Sequence, residues 1–257
     1  MSGQDKTSSR KQFPLVRFAL LLVTAIVSFW LMRGKAYDGG ELLMKAPFLE
    51  HVYVPEYKKI VALTFDDGPS VATTPRLLEI LREKNAVATF FELGKLARNN
   101  PDITRQIIAQ GSEVGSHTMY HQNFNKISGA AVSNDINEAR SVLNNIIGDE
   151  ISLTRTPYGI TNNNVKKIAE TPIILWTIDT LDWQSRDPEA IKAIVRDKTF
   201  DGAIILMHDI YNTTVDAVPD IIDYLRADGY DFVTVSQMAE IRGVELEAGK
   251  AYGSFRP

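Results

Sequence analysis

Cysteine is absent from the 257-residue chain. Its absence removes disulfide scaffolds, cysteine-ligated zinc, iron–sulfur clusters and thiol nucleophiles together, and leaves any metal to histidines and carboxylates. Histidine is scarce too, with four in the chain, so each one carries weight. A positive field is also lacking: 28 basic against 32 acidic groups leave a net charge of −4, which argues against nucleic acid as a partner. Long apolar runs are missing except near the N-terminus, so the chain is not multi-pass. What remains is an ordinary globular composition with room for one large domain or two small ones.

The charge is unevenly placed. Residues 1–35 hold six basic groups (Lys6, Arg10, Lys11, Arg17, Arg33, Lys35) and Asp5, which leaves 22 basic and 31 acidic groups, a charge of −9, for the remainder. Between Arg17 and Arg33 runs FALLLVTAIVSFWLM, whose polar members are Thr24 and Ser28. As a helix it is about 22 Å long, or about 30 Å when extended back to Phe13, just short of or near the hydrocarbon thickness. Gly34-Lys35-Ala36 is a marginal small-x-small cleavage site behind bulky Phe29 and Trp30, so the run reads as an uncleaved signal-anchor. The positive-inside rule keeps residues 1–12 in the cytoplasm and places everything after Met32 outside the membrane; cleavage would make the domain secreted. The expected organisation is a basic tail (1–12), a transmembrane segment (13–32), a linker (33–56) in which His51 is a surface residue, a catalytic domain (57–242) and a tail (243–257).

From Lys58 onward, apolar β-branched runs alternate with amphipathic segments. Strand candidates are 60–65, 86–93, 112–117, 151–155, 172–178, 202–208 and 230–235, seven in all. Helix signals lie between them. Pro75 and Pro101 open two, Gly111 and Gly148 close two, and 128–147 shows helical spacing through Val132, Ile136, Ala139, Leu143 and Ile147. Further helices fit 161–170, 188–198, 214–227 and 236–242. Strict alternation, with neither GxGxxG nor GxxxxGK(S/T) after the first strand, predicts an α/β fold with a parallel sheet closed, or nearly closed, into a barrel. Functional residues then belong just after the strands' C-terminal ends.

Five clusters stand there. Asp66 and Asp67, in TFDDGPS (64–70), are adjacent carboxylates that need a shared cation or proton; alone, DDGP is more often a turn. His117 and His121, in HTMYH, are spaced so that a helical turn would face both toward one metal, with Asp66 or Asp67 completing a three-ligand set. Arg155, in RTPYG, can hold a carboxylate, and the turn through Tyr158 can present a backbone N–H outward. Asp179-Thr180-Leu181-Asp182-Trp183 and Leu206-Met207-His208-Asp209 complete the set; a histidine with an aspartate to orient it has the layout of a general acid or base. Singly, Trp183 and His208 read as core residues.

With these clusters the chain resembles the polysaccharide deacetylases, carbohydrate esterase family four, which include chitin, peptidoglycan and chitooligosaccharide deacetylases. TFDDGPS, HTMYH, RTPY, DTLDW and LMH occur in the family's order over roughly residues 58–240. The resemblance implies a distorted (β/α) barrel and a metal-dependent hydrolase that removes acetyl groups. Asp66 would be the base; Asp67, His117 and His121 would ligate a divalent metal, zinc first, with cobalt or manganese as alternatives. Arg155 would tether Asp66, Tyr158 would offer its N–H to the oxyanion, His208 would be the acid and Asp182 its partner. Trp183 and Leu206 would line the acetyl pocket. An anchored, outward-facing domain points to cell-wall glycan, with peptidoglycan N-acetylglucosamine first. Chitin-type oligomers, O-acetylated xylan and a non-catalytic wall-binding role are the alternatives; a metal-dependent phosphoesterase is disfavoured because a second metal set is lacking.

Overall fold

The computed structural model describes residues 58–257. The expected basic tail, transmembrane segment and linker, with His51, lie outside the described residues. Among those described, no helix is long and apolar enough to cross a membrane.

The fold is α/β with a parallel sheet. Its axis is β1 (Lys59–Asp66), which is buried along nearly its whole length. One edge of β1 pairs with β6 (Ala203–His208), in a register that sets Asp66 opposite His208. The other edge is shared by β7 (Tyr230–Phe232) at the start and β2 (Thr89–Glu92) at the end. Outward from these lie β3 (Glu113–Ser116) beside β2 and β5 (Ile178–Asp179) beside β6, and all these pairings are parallel. A separate pair joins β4 (Ile173–Ile174) to β8 (Ala251–Tyr252).

Strand alternation explains where the core stops and the site starts. Val61, Leu63 and Phe65 of β1, with Ala203, Ile205 and Met207 of β6, face a core shared with the helices. Ile60, Ala62 and Ile204 face a second apolar cluster on the other side. A period of two carries that second face on to Thr64, Asp66, Leu206 and His208, so the inner cluster ends in polar groups at the strands' C-terminal edge.

The helices pack mostly on the first face, but Val165 joins a third apolar cluster and Val235, Met238 and Ala239 join the second. The helices are α1 (Thr74–Glu83), α2 (Gly94–Asn99), α3 (Pro101–Ala109), α4 (Gly129–Ile147), α5 (Asn163–Ile168), α6 (Asp182–Ser185), α7 (Pro188–Lys198), α8 (Asn212–Ala227) and α9 (Val235–Ile241). Local chemistry fixes many of their ends. Proline stands in the first turn of α1, α3 and α7. The Ser128 hydroxyl caps α4, Asp187 caps α7, and Thr234 with Gln237 forms a capping box on α9.

Three expectations need correction. A continuous ladder does not close the sheet into a barrel among the described residues: the path runs from β3 to β5, and single bridges at Thr154 to Ser116 and to Ile173 stand where the ladder would close. The run 151–155 is therefore not a strand, and 172–178 divides into β4 and the start of β5. Within 172–178 the Arg155 side chain intervenes: its Nε donates to Ile174 O (3.1 Å) and its Nη2 to Leu175 O (3.0 Å). These side-chain bonds claim carbonyls where an unbroken strand would pass. The third correction concerns 243–257, expected as a tail. Tyr252 stacks on Phe255 (5.7 Å between centroids), and both join the inner apolar cluster. Gly202 admits this segment: its φ is +84°, and a Cβ there would stand 2.0 Å from Phe255 O.

Candidate active site

Asp66 ends β1 on the inner face, and Asp67 follows in a left-handed conformation (φ 74°). The reversal brings both carboxylates to the histidines. His117 Nε2 lies 3.7 Å from Asp66 Oδ2 and 3.6 Å from Asp67 Oδ1; His121 Nε2 lies 3.5 Å from the same Asp67 oxygen.

The histidine spacing works differently from the expected helical turn. Residues 117–121 form a loop in which Thr118 and His121 have positive φ (70° and 55°). Buried Asp135 of α4 braces it by accepting from Met119 N–H (2.6 Å) and Gln122 Nε2 (2.9 Å). His117 Nδ1 is 2.7 Å from the Arg155 carbonyl. A carbonyl only accepts, so Nδ1 donates to it, and Nε2 is the nitrogen turned toward Asp67.

A cation fits this set. Asp67 Oδ1 is buried without a hydrogen-bond partner among the described residues, and it sits against two imidazole nitrogens. Ligand atoms of Asp67, His117 and His121 all lie within 4.8 Å of one another. Burial first, and then the His117 charge, push the His121 pKa below its ordinary value against the opposing pull of Asp67 and Asp66. The neutral imidazole that a metal requires is thereby favoured. Two histidines and one carboxylate suit a borderline divalent ion and leave further coordination positions for water or substrate.

Two supports stand behind the centre. Arg155 is fully buried, and its Nη1 donates to Asp66 Oδ1 (2.7 Å) and Thr64 Oγ1 (2.7 Å). Its Cζ lies 4.1 Å from the Phe91 ring centroid. Burial lowers the guanidinium's pKa, and the Asp66 charge and hydrogen bond oppose that. On the other side, Asp182 Oδ1 accepts from His208 Nδ1 (2.8 Å), while Oδ2 accepts from His208 N–H (2.7 Å) and the Thr214 hydroxyl (2.7 Å). Burial disfavours the imidazolium, but the Asp182 hydrogen bond and charge, with Asp66 and Asp67, outweigh it and raise His208 to about 9. His208 Nε2 comes within 4.0 Å of Asp67 Oδ2.

These groups open onto a cavity of about 540 Å³. Its walls include Asp66, Asp67, His117, His121, Tyr158, Trp183, Leu206 and His208, eight of the ten residues singled out from sequence. Arg155 and Asp182 lie buried behind it. Tyr158 has φ 58° and packs its ring edge-on against His121 (4.8 Å). Trp183 is half exposed and Leu206 buried.

Sequence reasoning gave no role to several neighbours. Thr156, Trp176, Asp179 and Tyr211 line the cavity; Thr64 and Thr214 complete the two supports. Asp135 did carry a signal, because it falls on the apolar stripe of α4 beside Val132, Ile136 and Ala139. Two further acids, Glu92 and Asp209, are buried with one oxygen each unpartnered among the described residues. Thr104 Oγ1 donates to Glu92 (2.7 Å), and Thr74 Oγ1 donates to Asp209. Burial above all drives Glu92 up to about 8 and Asp209 to about 7.

Fold and site together define a parallel α/β protein with an Asp/His/His set able to hold a divalent ion, flanked by an arginine-held aspartate and an aspartate-held histidine. The chain belongs to the polysaccharide deacetylase family, whose sequence profile matches residues 54–172. It is 37% identical over 214 residues to the peptidoglycan N-acetylmuramic acid deacetylase PdaC of Bacillus subtilis, covering 81% of this chain and 46% of PdaC. Against the peptidoglycan N-acetylglucosamine deacetylase PgdA of Listeria monocytogenes it is 38% identical, covering 86% of this chain and 48% of PgdA. The chain thus spans about half the length of these relatives. The solved PdaC structure superposes with a TM-score of 0.70 at 36% identity, covering 72% of this chain and 92% of that one. A family four acetyl xylan esterase from Clostridium thermocellum, determined with a cobalt ion, gives a TM-score of 0.74 at 29% identity, covering 77% of this chain and all of the esterase chain. The family is metal-dependent.

Proposed function

We propose that the chain is a metal-dependent hydrolase that removes N-acetyl groups from a cell-surface polysaccharide, with peptidoglycan N-acetylglucosamine as the first candidate, and releases acetate. The observation that carries this reading is one cavity holding the Asp67–His117–His121 set, Asp66 clamped by Arg155, and His208 clamped by Asp182. Pure binding would need neither clamp. In this reading Asp67, His117 and His121 hold the metal, zinc first, with cobalt or manganese able to replace it. The bound ion would supply Lewis acidity, lowering the pKa of water and polarising the acetyl carbonyl.

The chain's own groups do the rest. Asp66, aimed by Arg155, accepts the proton of the attacking water. The Tyr158 backbone N–H stabilises the developing oxyanion. His208, charged through Asp182, protonates the departing nitrogen, and Trp183 and Leu206 enclose the acetyl methyl. The apolar run at 13–32 supports a single-pass anchor with the catalytic domain outside the membrane.

The similarity to an acetyl xylan esterase favours one second reading, O-deacetylation of xylan. Acetate release from purified cell wall, chitooligosaccharide and acetylxylan tests both. Release from wall and chitooligosaccharide supports the N-deacetylase; release from acetylxylan alone supports the esterase. Absence of release from every substrate by zinc-loaded protein overturns the enzyme reading.

A further inference from the structure

The cavity wall includes three carboxylates, Asp66, Asp67 and Asp179, and neither lysine nor arginine. The chain beyond residue 35 is itself acidic. An anionic polymer would therefore need a cation placed locally, because the overall field repels it.

Arg186 occupies such a place. It is exposed, its Cζ stands 3.1 Å from the centre of the Tyr211 ring, and its Nε donates to the Trp183 carbonyl (3.0 Å). Tyr211 and Trp183 both line the cavity. The nearby acids are engaged elsewhere. Asp187 Oδ1 accepts from Glu189 N–H, and Asp179 Oδ1 accepts from Leu181 N–H, each at 2.9 Å, while both Asp182 oxygens serve His208. Arg186 accordingly makes no ion pair with a carboxylate among the described residues.

Its backbone is constrained as well. α6 is four residues long and is bounded by two left-handed residues, Leu181 (φ 55°) and Arg186 (φ 50°). Side chains with a Cβ disfavour that conformation, which persists where the surroundings enforce it. The result is a guanidinium stacked on a wall residue, anchored through Nε, within reach of the Tyr211 hydroxyl and without a carboxylate partner among the described residues. A planar fork of this kind suits a carboxylate in a way that a lysine ammonium does not.

We propose that Arg186 is a specificity residue that reads a carboxylate carried by the glycan beside the acetamide being cleaved. The substrate class is a carboxylated amino-sugar polymer, such as a strand alternating N-acetylglucosamine with N-acetylmuramic acid, rather than neutral chitin. This inference rests on the deacetylase reading above. On a wall strand the carboxylate has two sources, the lactyl group of an unsubstituted muramic acid and the free carboxylates of an attached peptide.

The test compares the zinc-loaded full chain with Arg186→Gln and Arg186→Lys. Acetate release and equilibrium binding are measured on chitooligosaccharide, on wall strands stripped of peptide, and on strands bearing peptide. The expected loss in kcat/KM for Arg186→Gln is about tenfold larger on a carboxylated strand than on chitooligosaccharide. It falls mainly in KM, shrinks with added salt and is partly recovered by Arg186→Lys. Loss greatest on stripped strands assigns the lactyl carboxylate; loss confined to peptide-bearing strands assigns the peptide. An equal, salt-insensitive loss on all three ligands overturns the proposal and makes Arg186 a brace for Tyr211 and Trp183. If the wild type releases no acetate, the deacetylase reading falls, and the same ratio taken from binding constants still decides for or against a carboxylate reader.

Discussion

Arg155 and Asp66 form a buried ion pair in which the arginine does more than neutralise the acid. One nitrogen reaches Asp66 at 2.7 Å, while the other two donate to the Ile174 and Leu175 carbonyls. The residue that aims the proposed base thus also breaks the neighbouring strand.

That double role separates two variants. Arg155→Ala leaves a buried carboxylate without its partner and three acceptors without a donor, a loss of about 3 to 5 kcal/mol of stability. Asp66→Asn leaves the Thr64, Ile174 and Leu175 bonds available to Arg155, so it should fold, retain metal and lose about 10² to 10⁴ in kcat. Denaturant titration, metal analysis and acetate release check the pair. Near-normal turnover in Asp66→Asn would remove Asp66 from the role of base.

The lone Asp67 oxygen between two imidazoles makes a prediction about stability that does not depend on turnover. Adding zinc to chelated protein should raise the melting temperature, because an ion that binds the folded state alone stabilises it by mass action. His117→Ala removes one of the three ligands and should abolish most of that rise along with acetate release. Calorimetry with and without zinc reads the first effect. Full turnover after verified metal removal would sink the metal assignment.

His208 titrates high because Asp182 holds its ring. Its charged form is complete at low pH and is lost as pH rises through about 9. Asp182→Asn removes the partner's charge and lets the pKa fall toward the ordinary 6.5. The alkaline limb of kcat/KM should therefore move to lower pH in this variant. An unmoved limb would show that another group provides the proton.

How much of this was legible depended on how local each cause is. Pro101, Ser128 and Gly148 marked helix ends through their own backbone and side-chain chemistry, and the strand-end position of Asp66, His117 and His208 followed from alternation alone. The break within 172–178 is not legible because Arg155 reaches its carbonyls from some twenty residues away, which no short window contains. The His117–His121 spacing named two residues that the fold does bring together, but a loop braced by Asp135 does so in place of a helical turn. Trp176 and Tyr211 bear no motif, and the fold alone brings them to the cavity. Tyr252 and Phe255 were hidden by polar, glycine-containing surroundings, although two aromatics in a supposed tail already hinted at burial.

Glu92 ends β2 on the helix-covered face, where Thr104 supplies a hydrogen bond and no positive charge is found among its influences. Burial, opposed by that hydrogen bond and reinforced by Asp209, keeps it protonated up to about pH 8, whereas in the unfolded chain it ionises near 4.5. Between those values the folded state holds a proton that the unfolded state has released. Stability therefore falls as pH rises through the window and levels off above it. Glu92→Gln keeps the acceptor for Thr104 and has no proton to lose. Its gain in melting temperature over wild type should be small at pH 4, grow through neutrality and reach a plateau above pH 8. The measurement is made on metal-loaded and chelated protein alike, which separates Glu92 from the metal centre. A difference independent of pH would mean that Glu92 is ionised in the fold, with a counter-charge still to be found.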